Sequence, residues 1–212
     1  MNLKTTLLVI LCICGLKSYA QDRQYRLLLS PALIGFDALA VQPGCEVQLS
    51  ERFAIVLETL VPVKKFDTYR ELQIARVRLE SKYYYKPAIK NEREYFGFDI
   101  SYLRRRLIFQ DSNWYYDRDL KSDVHFTSGM ARSHVLAAAF TYGIVTYMKK
   151  FHVDLSGGAG CRVIFTRYSI NDPVITPAEF PFSPMAPVPS TRLNGDVYRF
   201  HLIMRIRIGY LI

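Results

Sequence analysis

The chain ends in VYRFHLIMRIRIGYLI, residues 197–212. Even positions read Tyr198, Phe200, Leu202, Met204, Ile206, Ile208, Tyr210 and Ile212. Odd positions read Val197, Arg199, His201, Ile203, Arg205, Arg207, Gly209 and Leu211. Successive side chains of a strand point to opposite faces. One face of this strand is therefore wholly apolar, and the other carries three Arg and a His. A helix would scatter those charges around its circumference.

The same split recurs upstream. Residues 151–163 set Phe151, Val153, Leu155, Gly157, Ala159 and Cys161 against His152, Asp154, Ser156 and Arg162. Residues 72–86 set Val77, Leu79 and Tyr83 against Arg76, Arg78, Glu80 and Lys82. Residues 95–105 set Phe96, Phe98, Ile100 and Tyr102 against Gly97, Asp99, Ser101 and Arg105. Residues 53–61 oppose Phe53, Ile55 and Leu57 to Ala54, Val56 and Glu58, and residues 41–49 oppose Val41, Cys45, Val47 and Leu49 to Gln42, Gly44, Glu46 and Gln48. Residues 135–147 are apolar on both faces but small on one. Residues 25–33 show the pattern least clearly. The spacing predicts eight strands.

The gaps are uneven. Ser50-Glu51-Arg52 and Lys149-Lys150 are tight turns, and residues 87–94 form a moderate, charged one. Residues 110–132 read as a long polar and aromatic loop around Asn113-Trp114-Tyr115-Tyr116-Asp117. Residues 169–195 read as a second long loop, holding Pro173, Pro177, Pro181, Pro184, Pro187 and Pro189. A central strand does not tolerate so many missing N–H donors. Short turns fall on one side and long connections on the other, as in an outer-membrane barrel.

Lipid supplies no hydrogen bonds, so only helices and closed barrels cross it. No apolar run reaches the roughly 18 residues of a spanning helix. The expected fold is an all-β, eight-stranded antiparallel up-and-down transmembrane β-barrel over residues 21–212. Closure removes both sheet edges. Tyr83, Tyr85, Phe96, Tyr198 and Tyr210 suit the interfacial belts.

An eight-stranded barrel is just wide enough to be filled by side chains. Glu46, Glu58, Arg76, Arg78, Glu80, Lys82, Asp99, Arg105, Asp154, Arg162, Arg199, Arg205 and Arg207 are expected inside. They read as a plug of ion pairs with positive charge left over; an ion path is the functional alternative. A soluble lipocalin-like calyx would alternate too, with its apolar face turned inward. The long strands, the small residues on the charged face and the apolar terminal strand favour the lipid-facing arrangement.

The sequence has 212 residues, is 50% hydrophobic and carries a formal charge of +9. That is too apolar for a disordered chain. Residues 1–20 read as a signal peptide: Lys4, then the apolar LLVILCICG at 7–15, then Ser18-Tyr19-Ala20 before the expected cleavage. Losing Lys4 and Lys17 with them lowers the charge to +7. Cys45 and Cys161 remain, in a compartment where a disulfide is allowed; two small apolar side chains is the simpler reading.

Several short motifs resemble the small outer-membrane β-barrels of the OmpA/OmpX-like type, and within them a Bacteroidota domain-of-unknown-function group. They are Lys82-Tyr83-Tyr84-Tyr85-Lys86-Pro87, Glu94-Tyr95-Phe96-Gly97, Tyr142-Gly143, His152-Val153-Asp154 with Gly157-Gly158-Ala159-Gly160, and Ile208-Gly209-Tyr210. The resemblance implies a barrel fold and a Gram-negative outer-membrane location, with no reaction attached.

No catalytic, cofactor-binding or metal-ligating constellation is found, and no cofactor is expected. His125, His134, His152 and His201 lack metal-ligand spacing. Ser133 and His134 are neighbours on one strand, so they face opposite ways and cannot pair as nucleophile and base, which argues against a lipid A-modifying enzyme. The run Arg104-Arg105-Arg106 suits lipopolysaccharide phosphates at the outer rim better than nucleic acid. The expected role is structural, or recognition of a protein or glycan through the long loops. Trp114, Tyr115 and Tyr116 are either a contact surface there or the loop's own packing. A narrow porin-like channel is the alternative.

Overall fold

A computed structural model describes residues 24–34, 38–65, 71–85, 91–117, 120, 122–177 and 193–212. The strands are β1 (Tyr25–Ile34), β2 (Ala38–Gln48), β3 (Phe53–Thr59), β4 (Val61–Lys65) and β5 (Glu71–Tyr84). They continue with β6 (Glu92–Asp117), β7 (Ser122–Met148), β8 (Phe151–Asn171), β9 (Val174–Pro177) and β10 (Leu193–Leu211). Residues 1–20, where the signal peptide is expected, lie outside the described residues.

Eight strands close a ring. Each of β1, β2, β3, β5, β6, β7, β8 and β10 pairs antiparallel with the next, and β10 returns to β1. β4 prolongs β3 past Leu60 and stays on β2. β9 adds to the far end of β7.

The period-two reading fixes the faces correctly. Tyr198, Phe200, Leu202, Met204, Ile206, Ile208 and Tyr210 point outward, as do Val77, Leu79, Phe96, Phe98 and Ile100. Glu46, Glu58, Arg78, Glu80, Lys82, Asp99, Asp154, Arg205 and Arg207 are buried inside. A calyx would show the reverse. Outward aromatics cluster near the short turns. There Phe53 packs on Tyr83, Tyr85 on Phe96, Phe96 on Tyr142 and Phe151 on Tyr210.

The first long loop is a correction. Residues 110–132 are mostly strand: β6 runs 26 residues to Asp117, and β7 starts at Ser122 and runs 27. The register slips between Gln110 and Asn113, which breaks the alternation that marks a strand in sequence. At about 3.3 Å per residue, these strands far outreach an apolar band roughly 25 Å tall. The second long loop is corrected in part, since β8 continues to Asn171 and Val174–Pro177 forms β9; residues 178–192 lie outside the described residues.

The prolonged strands carry a second core. Leu60, Leu72, Leu107, Phe109, Tyr115, Val124 and Phe126 pack together inside the mouth. Tyr168 stacks on Tyr115, with centroids 4.0 Å apart, and on Phe109. Leu193 and Asn194 of β10 pair with Tyr116 and Asp117 of β6 from across the barrel. Tyr115 and Tyr116 are buried and Trp114 is half-buried, so the aromatic cluster packs on its own barrel instead of forming an exposed contact surface.

One close approach sets a testable constraint at the opposite end. Gly143 lies beneath the ring of Tyr95, where a Cβ would sit 2.5–2.6 Å from ring atoms. Tyr95 in turn donates to Asp154 at 2.9 Å. Gly143→Ala should displace the ring, break that bond and lower unfolding free energy by about 1–3 kcal/mol, read from urea unfolding in lipid vesicles. A Tyr95→Phe, Gly143→Ala double variant should lose less than the two single losses combined.

Candidate functional site

The lumen holds most of the chain's buried charge, arranged in layers because cross-strand register places it so. The lowest layer is aromatic, with Tyr84, Tyr95 and Tyr147 around Ala54 and Val145. Above it Lys82 bridges Glu46 at 2.6 Å and Asp154 at 2.7 Å, and Arg26 pairs with Glu46. Arg207 is the hub: it reaches Glu58 at 3.0 Å, Glu80 at 2.6 Å and Asp154 at 3.0 Å. Next, Arg205 joins Glu80 at 3.1 Å and Asp99 at 3.0 Å. Arg78 joins Asp99 at 3.2 Å and Glu58 at 3.4 Å. Neutral donors complete the carboxylates: Ser30 to Glu58 at 3.2 Å and Thr141 to Glu80 at 3.0 Å.

This network balances. Its acids are Glu46, Glu58, Glu80, Asp99 and Asp154; its bases are Arg26, Arg78, Lys82, Arg205 and Arg207. An unpaired charge in a dry interior is costly, so matching in number is what lets ten ions pack together. Arg26 and its partner Gln24 are the members that sequence reasoning missed; its other partner, Gln48, lies on the face already assigned to Glu46. The available signal was the alternation of Arg26 and Ser30 with Leu27 and Leu29 on the faintest strand.

The remaining expected lumen bases form a separate layer. Arg162 pairs across strands with Arg199 in register and lies within electrostatic reach of Arg105. Arg76 and His201 approach the same level, and both line one cavity. These bases thus form a layer of their own between the balanced network and the apolar cluster of the prolonged strands.

The outer face carries a second basic array. Arg105 turns inward and hydrogen-bonds Ser133, so the run Arg104-Arg105-Arg106 is split by the pleat. Arg106 sits opposite Arg132, and Arg132 opposite Arg167, in one row across β6, β7 and β8. Arg104 and His134 form the next row toward the apolar band. Arg167 bridges Asp196 at 3.1 Å.

Ser133 and His134 fall on opposite faces: Ser133 bonds Thr166 at 3.0 Å inside, and His134 meets the Tyr102 hydroxyl at 2.6 Å outside. Neither Cys45 nor Cys161 is in a disulfide; Cys45 is buried and Cys161 exposed.

No family model matches the chain, and no curated protein matches it. Among solved structures it is similar to Acinetobacter baumannii CarO, at 8% identity and a TM-score of 0.42, over 89% of this chain and 97% of that one. It is also similar to a major outer membrane protein of Thermus thermophilus, at 11% identity and a TM-score of 0.45, over 91% of this chain and 100% of that one.

Proposed function

We propose that this chain is an exported, non-catalytic outer-membrane barrel of the Gram-negative envelope, held there by its apolar wall and by lipopolysaccharide at its outer rim. The observation that carries the reading is the pairing of opposites across one wall. Charge-balanced ions fill the inside, while the outer band from Tyr198 to Tyr210 on β10 bears no charge. Water would reward the opposite arrangement; hydrocarbon rewards this one. Residues 1–20 supply the export signal in this reading. The direct test is fractionation with gel mobility before and after boiling. A folded barrel in the outer-membrane fraction should shift on boiling; recovery as a monomer from periplasm without detergent would end the proposal.

The Arg106–Arg132–Arg167 row gives the rim its partner. It stands just beyond the apolar band on the side of the extended strands, where anionic headgroups lie. Guanidinium forks suit phosphate. Each such charge beside an anionic surface adds useful binding. Exchanging both Arg106 and Arg132 for Gln should lower lipopolysaccharide retained by the purified barrel by roughly tenfold, with heat-modifiable mobility intact. Equal retention by the variant, or by wild type with dephosphorylated lipopolysaccharide, would remove the arginine row from the reading.

A structural or recognition role fits a filled lumen better than transport does. The apolar plug and the aromatic floor stand at either end of the ion network, so planar bilayers should show no discrete single-channel steps. Stable unitary currents would replace this reading with the narrow pore. The tip of the β6–β7 hairpin and the chain around β9 are where a protein or glycan ligand would bind; no nucleic acid is expected.

A further inference from the structure

β1 and β10 are paired over four positions only, from Arg26↔Leu211 to Leu29↔Ile208. The chain itself explains why the ladder stops. Ile212 N–H donates to Tyr25 C=O, and Gln48 N–H donates to Gln24 C=O. Odd residues of β1 therefore turn their backbone toward β10, and even residues toward β2. The next odd residue after Leu29 is Pro31, which has no N–H to give. Beyond it, residues 195–207 of β10 keep β8 on one edge and have no described strand on the other. The wall parts along a seam.

Two cavities meet at that seam. One, of about 270 Å³, lies on the lumen side and is lined by Ser30, Gln42, Arg76, Arg78 and His201. The other, of about 560 Å³, is an apolar groove on the outer wall, lined by Tyr142, Ile144, Leu155, Gly157 and Ile206. Pro31, Met204 and Arg205 line both. The groove exists because Gly157 leaves its outward position empty: a Cβ there would meet nothing nearer than the Ile203 carbonyl at 3.7 Å.

The inner cavity offers charge that the ion network does not use. Arg78 and Arg205 are already ion-paired, Arg78 with Glu58 and Asp99 and Arg205 with Glu80 and Asp99. Arg76 feels Asp99 and Glu58 electrostatically but forms an ion pair with no described residue. His201 Nε2 is buried without a hydrogen-bond partner. This basic pocket adjoins the outer groove at the seam, through Pro31, Met204 and Arg205.

We propose that the seam takes a single-chain fatty acid from the surrounding leaflet. Its carboxylate enters sideways to Arg76, Gln42 and His201, and its acyl chain lies along the outer groove. A small apolar cavity ending in a few convergent polar groups is the usual form of such a site. A monoanion fits better than a phosphate, because Glu58 and Asp99 stand close behind Arg78 and would repel a second negative charge. The inference rests on the membrane-barrel reading and adds a ligand to it.

Radiolabelled palmitate titrated into the barrel in phosphatidylcholine nanodiscs tests this directly. Wild type should bind saturably, with one palmitate per barrel. Arg76→Gln should weaken binding at least tenfold, and methyl palmitate, lacking the charge, should bind as poorly to wild type. Gly157→Leu, which fills the groove from outside without touching the lumen, should weaken it as well. Lys150→Gln, in the exposed turn between β7 and β8, should not. Unsaturable uptake by wild type, equal binding by Arg76→Gln or Gly157→Leu, or equal binding of the methyl ester would overturn the proposal. Tighter competition by dodecyl phosphate than by palmitate would overturn the choice of carboxylate. Each sample is first checked for heat-modifiable mobility: a protein that fails that check refutes the barrel reading, whereas a folded barrel without palmitate refutes only the seam.

Discussion

Arg207→Leu should be the most destabilising single exchange in the barrel. Arg207 is 0% exposed and holds three carboxylates at once, Glu58, Glu80 and Asp154. Leucine would fill part of the space but leave those carboxylates facing one another in a dry lumen. Removing one partner of a buried ion pair typically costs about 3–5 kcal/mol, against a total stability of about 5–15 kcal/mol for a domain. Urea unfolding in phosphatidylcholine vesicles should show that loss. Adding Glu58→Gln to Arg207→Leu should recover part of it, because one stranded charge disappears. Arg207→Lys should lose less than leucine, keeping the charge but not the two bonds to Glu58 at 3.0 Å. Wild-type stability in Arg207→Leu would show that the lumen does not carry this network.

Phe140→Arg addresses the other face of the same wall. Phe140 is 73% exposed on the outer side of β7, its ring against that of Phe98. On a water-facing surface such an exchange changes stability by no more than about 0.5 kcal/mol. On a lipid face near the midplane it costs about 2–4 kcal/mol. The two environments thus differ by several-fold in a single measurement. Unfolding in vesicles should show the larger loss, and Tyr198→Arg, nearer the outer interface, should show a smaller one. Equal and negligible losses at both positions would mean that the apolar wall does not meet lipid.

The fold was readable because two faces with opposite needs alternate every residue. Only a strand puts Phe200, Leu202 and Met204 on one face and Arg199, His201 and Arg205 on the other. What could not be read was how far the strands run. The slip between Gln110 and Asn113 shifts the pairing by one residue, so Val124 and Phe126 look out of phase with Ala131 and Ser133 when all four in fact pack inward. The balance of the lumen was hidden for another reason. Lys82 and Asp154 are 72 residues apart, and Arg207 and Glu58 are 149 apart; their meeting depends on ring closure and register. The same holds for the seam. Pro31 is plain in the sequence, but its missing donor matters only once odd residues of β1 are known to face β10.

The four-pair ladder between the terminal strands also bears on how the cylinder assembles. Joining Arg26 to Leu211 closes the largest loop in the chain, an entropic cost that grows with the logarithm of length. Very little backbone pairing offsets it. Most of the gain at that step comes from side chains, since seating β10 delivers Arg205 and Arg207 to acids already waiting on β3, β5, β6 and β8. Completion is therefore a late event gated by electrostatics, and non-local pairing of this kind is slow. A permuted chain, opened at the Lys149-Lys150 turn and joined through its original ends, would turn that last encounter into a local hairpin and should complete the ring faster.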